Sequence, residues 1–117
     1  MNVEAYRDYC LSKPFVTESF PFDSETLVFK VGGKMFALAG VNMFVSVNLK
    51  CEPERAIDLR ETYNGVKPGW HMSKKHWNTI TIESDVPTPL LKELIDHSYE
   101  LVYQSLPKKL KNELQAG

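Results

Sequence analysis

The chain has 117 residues, 43% apolar and 11% aromatic, and its 14 lysines and arginines against 15 acids give a net charge of −1. Such a length bounds the fold to one domain over residues 1–117 with a single core. The near-neutral balance excludes a wholly basic protein that coats nucleic acid, because that affinity rests on many cationic contacts. No apolar run is long enough to span a bilayer, and Met1 to Asp8 alternate charged and apolar residues, unlike a secretory leader. Cys10 and Cys51 stand far apart, outside any Cys-x-x-Cys or Cys/His spacing. A reduced, cytoplasmic setting is therefore expected, with no disulfide framework.

In chain order, Asn2 to Ser12 reads as a short helix. Asn2 is its cap, Val3, Tyr6, Cys10 and Leu11 recur at helical spacing, and Lys13-Pro14 is its stop. Thr26 to Val31 and Lys34 to Ala39 are strand-like runs around a tight Gly32-Gly33 turn, and Met43 to Leu49 ends in period-two alternation. These predict a three-stranded antiparallel meander. Pro53 opens a second helix, with Ala56, Leu59 and Tyr63 on one face and Asn64-Gly65 at its end. The stretch 66–69 reads as a loop. Asn78 to Glu83 is a β-branched strand. Thr88 then caps a long helix with Pro89 at its first position and an apolar stripe through Leu91, Leu94, Ile95, Leu101, Val102 and Leu106, and the tail after Pro107 is polar and weakly structured. The order is α-β-β-β-α-β-α: an α+β fold, with helices packed on an antiparallel sheet.

Charge is distributed less evenly than its sum. Between Thr62 and Ile82 there is no acid, while Lys67, His71, Lys74, Lys75 and His76 fall there beside Trp70 and Trp77. Trp70-His71-Met72-Ser73-Lys74-Lys75-His76-Trp77-Asn78-Thr79 resembles the signature segment of the MmcQ/YjbR family. Supporting matches run the length of the chain: Tyr9-Cys10, Phe20-Pro21-Phe22, Phe29-Lys30-Val31 with Lys34-Met35-Phe36-Ala37, Leu49-Lys50-Cys51, Gly65-Val66-Lys67-Pro68-Gly69 and Asp96-His97-Ser98-Tyr99. The resemblance implies a YjbR-like α+β fold, similar to frataxin-like and secretion-chaperone-like domains. It also implies a bacterial DNA-binding protein that works through a pair of wing-like elements.

Two functional readings follow. In the first, Lys67, Lys74 and Lys75 meet phosphates, Trp70 stacks on a base or wedges a groove, and the hairpin at Gly32-Gly33-Lys34 is the second wing. The candidate DNA-contacting residues are then Lys34, Lys67, Trp70, His71, Lys74, Lys75 and His76. Within the segment, Trp77 and Met72 are expected in the core, and His71 and His76 are expected to brace the loop by donating to backbone carbonyls. The second reading is a protein-binding or chaperone-like module that exposes apolar residues such as Phe36, Met43 and Phe44. Cations from 67–75 and 30–34 on one face would favour DNA; an apolar groove would favour a protein. No catalytic residue, metal or cofactor is expected. His71 and His76 lack further ligands, no acid–base pair marks a reaction, and Gly32-Gly33-Lys34 lacks the phosphate-loop frame.

Overall fold

A computed structural model describes all 117 residues. Helix α1 (Val3–Leu11) begins as the sequence implies, with the Asn2 side chain accepting the Ala5 N–H at 2.8 Å. Strand β1 (Val16–Ser19) follows, then β2 (Thr26–Val31) and β3 (Lys34–Gly40). Gly32 and Gly33 join the last two with φ of 59° and 81°, values that a two-residue hairpin demands and that glycine adopts without strain. Next come β4 (Ser46–Lys50), α2 (Pro53–Thr62), β5 (Val66–Pro68), β6 (Trp77–Thr81), α3 (Thr88–Ser105) and α4 (Lys108–Ala116). Every strand pairs antiparallel, in the order β1-β2-β3-β4-β6-β5. The α+β class holds, and the expected meander is the centre of a six-stranded sheet.

The structure departs from the sequence reading at the margins, each time for a physical reason. Both edge strands are absent from that reading, since four residues and three are too few to display a period. They become strands by pairing, Val16↔Val31 to Ser19↔Val28 at one edge and Val66↔Ile80 to Pro68↔Asn78 at the other. The third meander strand starts at Ser46, after Met43 to Val45 have turned the corner. Pro87, not Thr88, precedes α3, and no side chain caps it. The tail is helix α4 because Leu110 and Leu114, one turn apart, pack against the core.

One face of the sheet carries the main core. Leu27, Phe29 and Val31 of β2, Phe36, Ala37 and Ala39 of β3, and Val47 and Leu49 of β4 meet Tyr6 and Cys10 of α1 and Leu94, Ile95, Tyr99 and Val102 of α3. Polar side chains fasten α3 in place. Buried Ser98 Oγ accepts the Lys50 N–H at 2.9 Å and donates to the Phe36 carbonyl at 2.5 Å, linking β3, β4 and α3 through one atom. Tyr99 donates its hydroxyl to the Pro14 carbonyl at 2.6 Å. His97 reaches the start of α2, where its Nε2 accepts the Glu52 N–H at 3.2 Å.

Two outcomes follow. Replacing Ser98 by Ala strands a partly buried N–H and a buried carbonyl, and should cost about 2 kcal/mol of unfolding free energy in urea titrations. An unchanged midpoint would show that the hydroxyl is idle. His97 accepts a hydrogen bond only when neutral, and desolvation followed by the Arg55 charge holds its pKa below the ordinary 6.5. The unfolded chain therefore takes up the proton first. Stability from this group is whole above about pH 6.5 and is lost as pH falls toward the depressed folded value. Melting curves across that window should show the decline, and H97Q, which keeps an acceptor but does not titrate, should flatten it.

Candidate nucleic-acid interface

Strand residues alternate between faces, so those flanking the core positions point away from the helices. On this outer face one cross-strand row runs Ser19, Val28, Leu38, Asn48, Thr79, Lys67 from edge to edge. The neighbouring positions hold Lys30, Met35, Lys50 and Trp77 toward one end, and Thr26, Gly40, Ser46 and Thr81 toward the other. No acid occupies an outward strand position. The four ion pairs lie elsewhere, joining Met1–Glu83, Arg7–Glu18, Lys13–Asp96 and Arg55–Glu93, and they leave Lys30, Lys50, Lys67, Lys74 and Lys75 unpaired.

The β5–β6 loop, residues 69–76, folds back over this face. Asn48, Thr79 and Trp70 hold it in a closed ring of hydrogen bonds. The Trp70 N–H donates to Thr79 Oγ1 at 2.8 Å, that hydroxyl donates to Asn48 Oδ1, and Asn48 Nδ2 donates back to the Trp70 carbonyl at 3.3 Å. Both backbone groups of Trp70 are thus fixed, although 69% of the residue is exposed. Gly69 lets the chain pass close to β6: its N–H bonds the Trp77 carbonyl at 2.8 Å, and a Cβ there would lie 2.7 Å from that of Trp77. From the helix side, Arg60 donates to Asn78 Oδ1 at 2.6 Å and to the carbonyls of Lys74 and Trp77. His71 has φ of 57°, an unusual conformation for a non-glycine residue, with its ring edge-on to Trp70 at 4.6 Å.

Between this loop and the β1–β2 loop lies a cleft of about 770 Å³. Trp70 and Phe22 line it with His71, Met72 and Ser73, and its floor includes Leu38, Val47, Asn48 and Thr79. Of the candidate residues, Lys67, Trp70, His71, Lys74, Lys75 and His76 are all exposed within one strand and its following loop. Lys74 turns its ammonium back toward the Gly69 carbonyl at 3.4 Å, whereas Lys75 makes no such bond. Lys34 is exposed at the same end of the sheet, but β4 lies between its strand and β6, and it does not line the cleft. At the expected second wing Gly32 lies against Leu106, where a Cβ would come within 2.5 Å of that side chain, whereas Gly33 and Lys34 are exposed.

Other expectations need correcting. Neither His71 nor His76 donates a side-chain hydrogen bond to the loop; Arg60 and the backbone brace it instead. Trp77 and Met72 do pack, but in a separate small cluster with Val28, Leu38 and Met35 on the outer face. Phe36 is fully buried and Phe44 packs on Tyr6, so of the three proposed protein-contacting residues only Met43 is open, at 76% exposure. The sequence reading missed Asn48, Thr79, Arg60 and Phe22. Outward alternation in β4 and β6 was the available signal for the first two, and their partnership depended on register.

Two acids near this face of the sheet are committed to backbone. Asp23, at the far end of the cleft, accepts the N–H groups of Glu25 and Thr26, and these bonds hold its carboxyl below the usual range. The Gly65 and Asn64 N–H groups do the same for Asp85, with a smaller contribution from Lys67. Burial pushes the thiols up, Cys10 to about 12 and Cys51 to about 11. No three His, Cys, Asp or Glu side chains converge as metal ligands would, and no helix is long and apolar enough to cross a membrane.

Comparison with known proteins matches this geometry to a family. The YjbR family model matches residues 11–101. The chain is 36% identical over 115 residues to the Escherichia coli O157:H7 protein YbdF, covering 97% of this chain and 94% of that one. It is 31% identical over 110 residues to YjbR of E. coli K12, covering 93% of each. Among solved structures, a Deinococcus radiodurans protein superposes with a TM-score of 0.92 at 40% identity, over 97% of this chain and 88% of that one. A Pseudomonas syringae protein gives 0.73 at 27% identity, over 87% of this chain and 99% of that one. The family match and the near full-length relatives agree with the resemblance carried by the Trp/His segment: the chain belongs to the YjbR family.

Proposed function

We propose that this protein is a non-enzymatic DNA-binding domain whose contact surface is the helix-free face of the sheet, centred on the 69–76 loop. The observation that carries the reading is the gathering of Lys30, Lys50, Lys67, Lys74 and Lys75 on that face, all without acidic partners. Many acids lie instead on the helices, including Glu4, Asp8, Glu54, Asp58, Glu61, Glu93, Asp96 and Glu100. A nearly neutral chain thereby offers one attractive face to a polyanion. His71 supplies a hydrogen-bond donor beside Trp70, exposed His76 adds another in the same loop, and Lys34 extends the same end of the sheet. The raised thiol pKa values favour a binding role over a nucleophilic one, since the thiolate is the reactive form.

A protein partner is the second reading, favoured by exposed Met43, Val45 and Phe22 beside the cleft. Salt separates the two, because counterion release makes phosphate binding weaken steeply with ionic strength. Fluorescence anisotropy with labelled DNA at low salt should show binding whose logarithm falls linearly with log salt. The double variant K74A/K75A should reduce that slope by about two, at roughly 0.9 for each phosphate no longer neutralised. Wild-type protein at micromolar concentration giving no anisotropy change at low salt would end the DNA reading.

A further inference from the structure

Resting on the DNA reading, we propose that the cleft beneath the 69–76 loop receives one unstacked nucleobase of a single strand, held between Trp70 and Phe22 with its phosphates outside on the lysines. The lining supports this division. It contains no lysine or arginine, and its one acid, Asp23, already accepts two backbone N–H groups. A phosphate would find no counter-charge inside. A flat, uncharged ring would find an apolar floor of Leu38 and Met35 and two aromatic side chains, 69% and 64% exposed. The volume of about 770 Å³ lies in the range of small-molecule sites.

Polar groups at the wall are placed for the edge of such a ring. Ser46, Ser73 and His71 line the cleft, and none makes a side-chain hydrogen bond within the protein. Trp70 is already fixed through its own N–H and carbonyl by Thr79 and Asn48, so binding need not order its backbone. Bases in a duplex are stacked on both faces and paired at their edges, which closes the cleft to them unless one is flipped out. Stacking is indifferent to base identity, so the cleft selects for strandedness more than for sequence.

The test uses the full chain and three DNA ligands of equal length: oligothymidylate, an abasic deoxyribose-phosphate strand, and a duplex. Oligothymidylate should bind at least about tenfold more tightly than the abasic strand, the scale of one aromatic–base stack, and should alone quench the emission of exposed Trp70. Both W70A and F22A should bring its affinity down toward that of the abasic strand, with circular dichroism showing the fold retained. Equal affinity for oligothymidylate and the abasic strand, or for oligothymidylate and the duplex, overturns the base cleft and leaves the lysine-based DNA reading standing. Unchanged oligothymidylate affinity in both variants overturns it equally. Failure of all three ligands to bind at low salt removes both readings, and is the result expected if the cleft takes an apolar side chain of a protein partner.

Discussion

Six strands present two faces, and the helices of this chain pack against the same one. Everything distinctive about the molecule follows from that shortage of cover. The inner face is conventional: branched and aromatic side chains of β2, β3 and β4 meet α1 and α3, and Ser98 ties two strands to the helix above them. The outer face must be finished by other means, since bare apolar residues there would invite association. Val28, Leu38 and Trp77 form a small second cluster, Met72 packs on it from the loop, and threonines, serines and lysines fill the surrounding positions. The loop is in this sense a substitute for a missing layer. It shields part of the sheet and leaves the remainder as a cleft.

This arrangement gives the loop its stiffness. A segment of eight residues over a sheet, without secondary structure of its own, would ordinarily be mobile. Here Arg60 holds its far limb to α2, and the Asn48–Thr79 pair holds Trp70 to the strands beneath. The positive φ of His71 is maintained inside those restraints, as backbone strain requires. Charge follows the same layering. The side-chain ion pairs, made by Arg7, Lys13 and Arg55, all lie on the helix side, while Lys30, Lys50, Lys67, Lys74 and Lys75 of the sheet side have no acidic partner.

Much of the fold was legible because its central elements carry long patterns. The N-terminal cap, the Gly-Gly hairpin, the alternation through Leu49 and the apolar stripe of the last long helix each show a period or a turn that physics assigns to one structure. What escaped was whatever depended on a neighbour. Val16 to Ser19 and Val66 to Pro68 are strands only because β2 and β6 offer open edges, and Leu110 and Leu114 make a helix of the tail by docking. The site divides in the same way. A basic, aromatic stretch without acids could be read directly from 62–82, whereas the clamp on Trp70 joins residues 48, 70 and 79, which only the register brings together. His71 and His76, expected to brace the loop, leave that task to Arg60 on another element.

The two edges of the sheet have a consequence for self-association. An open edge strand is a template onto which another chain can add, and both edges here are poor templates. β5 is three residues long, ends in Pro68 and carries Lys67. β1 is four residues long, lies between Pro14 and Pro21, and is tied sideways to α1 by the paired bonds of Arg7 to Glu18. Such short, charged, proline-bounded strands resist the stacking of copies into extended sheets. The molecule can therefore leave a broad sheet face uncovered without its margins drawing copies together strand by strand.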